Sequence, residues 1–151
     1  MEPKIEIESK LWLKLLRQLK KRGKGTRESG AFLLGESDSK IITEFICYDD
    51  LDPFCLTGQI EFSSSGFNKL WEYCSNKNLK VLADIHTHPY DWTNQSYADK
   101  ANPMVFIKGH LAFILPFFAK KITTDLSGVG AFEYKGAFKW KKHSTKILKI
   151  N

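Results

Sequence analysis

The chain has 151 residues, of which 42% are hydrophobic and 26% charged. That is ordinary globular usage, enough to bury a core within one domain (residues 1–151), and it excludes a disordered chain. No apolar run approaches the roughly 18 residues a membrane span needs, and Met1-Glu2-Pro3-Lys4 opens no apolar leader, so the expectation is a soluble, cytoplasmic protein. The net charge of +6 is segregated into +6 over residues 1–27, −8 over 28–99 and +8 over 100–151, a pattern that disfavours a uniformly basic nucleic-acid binder.

In chain order, Ile5 to Ile7 reads as a short strand. Ser9 would then cap a helix running to about Arg22, because Trp12, Leu15, Leu16 and Leu19 recur at i, i+3, i+4 and i+7. Gly23 and Gly25 end it. Gly30 to Gly35 reads as a buried strand, Ser37-Asp38-Ser39 as a turn, and Ile41 to Cys47 as the return strand of a hairpin. Asp49 to Pro53 is expected as loop and Ile60 to Ser63 as a further short strand. Ser63 to Ser65 offer caps for a second helix over about Gly66 to Asn76, with Phe67, Leu70, Trp71 and Cys74 as its stripe.

Lys80 to Ile85 is a third strand leading into His86-Thr87-His88-Pro89, and Thr93 to Ser96 offer caps for a short helix near Tyr97 to Ala101. Gly109 to Phe117 reads as a buried strand, Thr123 to Gly128 as a turn. Val129 to Tyr134 and Ala137 to Lys141 pair as a closing hairpin about Lys135-Gly136. The order predicts an α/β domain with a mixed, largely antiparallel sheet flanked by helices. Cys47, Cys55 and Cys74 form no Cys-x-x-Cys pair and are expected as buried, unreactive thiols. His110 is expected to pack or cap, and His143 to be exposed.

The chemistry concentrates in residues 86–99. In an extended strand, residues i and i+2 share a face, so His86 and His88 can hold one metal together. Pro89 cannot continue a central ladder, which puts the pair at a strand end facing a cleft. Asp99 follows Ser96 by three residues and shares its face on a helical turn. Two imidazoles and a carboxylate make a three-ligand set that leaves the fourth zinc position open. There a bound water would approach neutral pKa, with Glu28 as candidate base and Ser96 as donor to the developing oxyanion. Glu36, at the far end of the Gly30–Gly35 strand, is the rival base, but it would lie about 25 Å away.

Glu28-Ser29-Gly30-Ala31-Phe32-Leu33-Leu34-Gly35, and His86-Thr87-His88-Pro89 followed after six residues by Ser96-Tyr97-Ala98-Asp99, resemble the strand start and the His-x-His-Pro…Ser-x-x-Asp signature of the JAMM (JAB/MPN-type) zinc metalloproteases. The resemblance spans roughly residues 9–140. It implies an MPN/JAB-like (cytidine-deaminase-like) fold, one zinc on His86, His88 and Asp99, Glu28 as general acid/base and Ser96 as oxyanion stabiliser. The implied activity is hydrolysis of the amide after the C-terminal glycine of a ubiquitin-like modifier, with that modifier or its conjugates as partner. Gln95 stands where the family often has proline, and the stretches at 48–62 and 100–109 are short. The chain thus resembles compact prokaryotic members, which are associated with ubiquitin-like conjugation systems, including antiphage defence, and with sulfur-carrier processing.

Tyr90 and Trp92 lie between the ligand positions, on a loop bordering the cleft. They either contact a substrate tail running along the loop or neighbouring strand edge or, for Trp92, pack the loop onto the core. Two other classes remain as alternatives. One is a non-catalytic MPN-type scaffold. The other is a nucleic-acid module built on the basic ends, where Lys139-Trp140-Lys141-Lys142-His143 interleaves aromatic and base; a strand with alternating faces explains that run as well.

Overall fold

The computed structural model describes residues 3–151, so the reading of Met1 and Glu2 lies outside the described residues. β1 (Ile5–Ile7) leads into α1 (Ser9–Gly23), whose apolar stripe of Trp12, Leu15, Leu16 and Leu19 is buried. Burying side chains of this size contributes about 1.5–3 kcal/mol each. The Trp12 indole N–H donates to the Thr123 carbonyl at 2.9 Å, which satisfies its one polar atom inside the core. Lys20, Lys21 and Arg22 occupy the last turn, where the helix dipole favours cations. Lys24, at φ 54°, closes the helix in the left-handed region.

β2 (Gly30–Glu36), β4 (Glu44–Cys47), β5 (Leu79–Thr87), β6 (Leu111–Leu115), β7 (Gly130–Gly136) and β8 (Lys139–His143) form a six-stranded sheet in the order β4-β2-β5-β6-β7-β8. Every pairing in it is antiparallel except β5 with β6. α1 packs on one face, over a core that includes Leu33, Ala83, Ile85 and Phe113. α3 (Ser64–Lys77) covers the other, its Leu70 packing in one core with Phe32, Leu34 and Tyr48. Ser63 caps α3 by accepting from the Gly66 N–H at 3.1 Å. The architecture is the mixed α/β domain expected, with helices on both faces of a mostly antiparallel sheet.

The parallel step matters for function. β5 and β6 cannot be joined by a tight turn, so residues 88–110 cross over between them and carry α4 (Tyr97–Ala101). This crossover starts at the end of β5, and the register Gly30↔His86 brings the start of β2 beside it. Gly30 is required there by packing. A Cβ at this position would meet the Tyr48 ring and lie 2.8 Å from the Ile85 carbonyl oxygen.

Several expectations are corrected. α1 begins at Ser9 itself; Glu8 occupies the cap position and makes no side-chain cap bond. The return strand expected over Ile41 to Cys47 breaks at Thr43. Its first half, β3 (Ile41–Ile42), leaves the main sheet and pairs parallel with β1, because Ile42 buries in the core shared by Ile5 and Ile7. Residues expected as loop form α2 (Tyr48–Leu51), docked through buried Tyr48 and Leu51. Ile60 to Ser63 makes only one isolated bridge, Leu56 with Ile60.

The strand expected to reach Phe117 stops at Leu115. Pro116 is followed by a turn in which Phe117, Phe118 and Ala119 have φ of 53°, 52° and 59°. The closing hairpin turns at Ala137-Phe138, both with positive φ as a type I′ turn requires, rather than at Lys135-Gly136. β9 (Leu148–Ile150), absent from the sequence reading, pairs parallel with β1. His143, expected to be exposed, is half-buried, with its side chain 5% exposed against Glu133 at 2.7 Å. The three cysteines are free and buried, and burial pushes the Cys47 and Cys55 thiols up to about 12. No helix among the described residues is long and apolar enough to cross a membrane.

Candidate metal centre

β5 delivers Asp84 and His86 to the face covered by α3, and His88 continues the alternation just past the strand end. The backbone N–H of His88 donates to the Leu115 carbonyl at 2.8 Å, which holds the residue beside the end of β6. His88 Nδ1 donates to the Trp92 carbonyl at 3.0 Å. That bond fixes the tautomer and leaves the Nε2 lone pair free. The Trp92 ring stacks on the imidazole, with centroids 5.6 Å apart and planes 13° from parallel. Trp92 remains 53% exposed despite this contact. Tyr90 is 73% exposed.

Asp99 is placed by a reciprocal cap at the start of α4. Ser96 Oγ accepts from the Asp99 N–H at 3.1 Å, and Asp99 Oδ2 accepts from the Ser96 N–H at 2.9 Å. As an acceptor in this bond, the Ser96 hydroxyl keeps its own hydrogen to donate. His86 Nε2 and His88 Nε2 lie 3.2 Å apart, with Asp99 Oδ1 3.3 Å from the former and Oδ2 3.1 Å from the latter. One donor atom from each residue falls within a set no wider than 4.8 Å. Two ligands at about 2.0–2.1 Å on a tetrahedral zinc are about 3.3 Å apart. The donor spacing thus fits a metal ion, and a His-His-Asp group able to bind one is present.

The electrostatics follow from crowding these groups. Burial pushes the Asp99 carboxyl up, but its contacts with the His86 and His88 imidazoles and the bond from the Ser96 N–H overcome it and hold the group far below the carboxylate range. Burial alone would push His86 down; its contact with Asp99 and the field of Glu28 raise it instead. Glu28 faces the same cluster from the residue before Ser29 and β2, its N–H donating to the Gly58 carbonyl at 3.0 Å. Burial raises its carboxyl, and the two histidines only partly offset that. Glu36 sits at the opposite end of β2, opposite Leu79. Of the two acids weighed as base, only Glu28 borders the cleft.

Glu28, His86, His88, Ser96 and Asp99 line a cleft of about 750 Å³ with apolar walls from Phe62, Phe67, Met104 and Trp140. Three residues of this cleft escaped the sequence reading. Asp84 pairs with His110 at 2.6 Å beneath the site, both side chains being buried; its i−2 relation to His86 was the available signal. Tyr48 Oη and Gln95 Oε1 are buried without a hydrogen-bond partner among the described residues. Both depend on how the 48–62 and 89–96 segments fold back, and neither carries a local pattern.

No protein-family model matches the sequence. Among solved structures, the chain is similar to protein DSY2949 from Desulfitobacterium hafniense, with TM-score 0.65 and 18% identity over 97% of this chain and 94% of that one. It is also similar to a JAB1/MPN domain protein, AF2198 from Archaeoglobus fulgidus, with TM-score 0.50 and 18% identity over 99% and 98%. A Salinibacter ruber protein matches with TM-score 0.62 and 12% identity over 96% and 91%. At these identities the likeness concerns the fold, which is MPN/JAB-like.

Proposed function

We propose that this chain is a zinc-dependent amide hydrolase of the JAMM kind, cleaving after the C-terminal glycine of a ubiquitin-like modifier. The observation that carries the reading is the convergence of His86, His88 and Asp99 at metal-ligand spacing with Glu28 on the rim of the same cleft. The donor chemistry, two imidazole nitrogens and one carboxylate, suits zinc with an open position. When bound, zinc supplies Lewis-acid chemistry, lowering the pKa of a coordinated water towards neutrality.

The chain's own residues account for the remaining roles. His86, His88 and Asp99 hold the ion, the Trp92 carbonyl keeps His88 in the ligating tautomer, and the Ser96 cap keeps Asp99 aimed inward. Glu28 takes the proton of the attacking water on a carboxylate oxygen as the new C–O bond forms at the substrate carbonyl. It delivers that proton to the departing amine nitrogen as the C–N bond breaks. The Ser96 hydroxyl donates to the carbonyl oxygen as charge gathers there.

The test is hydrolysis of a ubiquitin-like protein fused through its terminal glycine to a reporter. Wild type should cleave after the glycine, and Glu28→Gln should lower kcat by about 10²–10⁴-fold while leaving the metal content unchanged. Full cleavage by Glu28→Gln would overturn the base assignment. A zinc-loaded chain that cleaves no modifier fusion would favour the scaffold alternative.

A further inference from the structure

Beside the metal cleft runs a second, larger groove of about 1450 Å³. One bank is the C-terminal part of α1 and the turn after it, with Arg17, Lys20, Lys21 and Lys24. The other is the segment after β6, with Phe117 and Lys120. Glu28, Gln59 and Pro89 line both this groove and the metal cleft, so the two are continuous. Glu28 is the one acidic residue lining the groove among the described residues, and it sits at the junction.

The basic residues here are uncommitted. Arg22, one turn away, is neutralised by Asp49 at 3.0 Å and Asp50 at 2.7 Å. By contrast Arg17, Lys20, Lys21, Lys24 and Lys120 make no ion pair among the described residues. Five unpaired cations facing one concavity create a positive potential that attracts an anionic partner. Tyr90 and Phe117 (47% exposed) add apolar contact area where the groove meets the metal loop. The wall they form is fixed in place. The N–H groups of Phe117 and Phe118, in the left-handed turn, donate to the Tyr90 and His88 carbonyls at 3.0 and 2.9 Å.

We propose that this groove docks an acidic stretch of the protein substrate, so that the scissile bond is presented to Glu28 at the groove's end. The inference rests on the hydrolase reading for the metal cleft. Charge also separates a polypeptide from a nucleic acid. The adjoining cleft is lined by Glu28 and Glu61 and, among the described residues, by no lysine or arginine, which disfavours a phosphate chain continuing into it. A polypeptide can be acidic over the groove and neutral or basic at the cleavage point.

The experiment measures binding of a fluorescein-labelled polyglutamate peptide by anisotropy at low salt, with polylysine of equal length and oligouridylate as comparison probes. Wild type should bind polyglutamate and not polylysine. Lys20→Glu/Lys120→Glu, one change on each bank, should weaken binding about tenfold or more. Lys20→Gln/Lys120→Gln, which leaves the helix end free of acidic residues, should weaken it by a smaller factor. Lys108→Glu/Lys139→Glu, exposed positions outside the groove, should bind as wild type does. A zinc-loaded chain that ignores polyglutamate would overturn the docking proposal alone, whereas a chain that docks polyglutamate and holds no zinc would overturn the hydrolase reading alone. Equal loss in the control pair, or tighter binding of oligouridylate abolished by the same groove variants, would overturn the assignment to an acidic polypeptide.

Discussion

Replacing Glu133 by glutamine removes one carboxylate that answers two ammonium groups and an imidazole. Its Oε1 accepts from Lys4 Nζ at 2.7 Å and from His143 Nε2 at 2.7 Å, and its Oε2 from Lys135 Nζ at 3.2 Å. The group therefore joins the residue preceding β1 to β7 and β8. The Lys4 bond is the largest influence and, with His143 and Lys135, outweighs burial and lowers the carboxyl from 4.5 to about 2. A displacement of that size corresponds to about 3 kcal/mol. Lys4 and Lys135 are 44% and 41% exposed, so solvent screening reduces the expected contribution to about 2 kcal/mol. Because the folded-state value lies below the unfolded one, the contribution is fully present above about pH 4.5 and fades as pH falls towards about 2. Urea unfolding of wild type and Glu133→Gln should differ by about 2 kcal/mol at pH 7, and by less than half of that near pH 3. A difference at neutral pH below about 0.5 kcal/mol, or one that persists undiminished in acid, would refute this reasoning.

Two further changes probe the site's scaffold. Gly30→Ala should cost about 2–3 kcal/mol in a urea melt, since the new methyl meets the Tyr48 ring and lies 2.8 Å from the Ile85 carbonyl oxygen; a neutral result would mean the strand start is looser than it is drawn. Ser96→Ala should cost about 1 kcal/mol through the lost cap. It should also weaken zinc binding, by no more than about tenfold, because it frees the Asp99 backbone N–H at the start of α4 while the Ser96 backbone N–H still holds Asp99 Oδ2. Unchanged affinity in a competition titration would detach the cap from the metal centre.

What was legible in the sequence was what local periodicity controls. The stripe from Trp12 to Leu19 placed α1, the apolar run from Gly30 placed β2, and the i, i+2 relation placed His86 and His88 on one face. The Ser96–Asp99 spacing placed a carboxylate that only a helical turn brings into reach. What escaped depends on distant partners. Ile41 and Ile42 have strand propensity, but nothing local says that they pair with β1 while residues 44–47 pair with β2. β9 needs β1 beside it, and the His143 side chain is covered because Glu133 stands across the hairpin in the Ala131↔His143 neighbourhood. The left-handed turn at Phe117 to Ala119 runs against the preferences of its own residues and is held by the metal loop's carbonyls. Trp92 illustrates the same limit. Its sequence position placed it near the site, and only the folded loop shows its ring stacked on His88.

The central claim is the metal, and elemental analysis of the purified chain tests it most directly. Wild type and His88→Ala, purified identically, are compared for zinc per chain. The account predicts about one zinc per chain in wild type and little in the variant, since losing Nε2 of His88 leaves only two protein donors. No zinc in wild type after remetallation, or equal zinc in both, would contradict it.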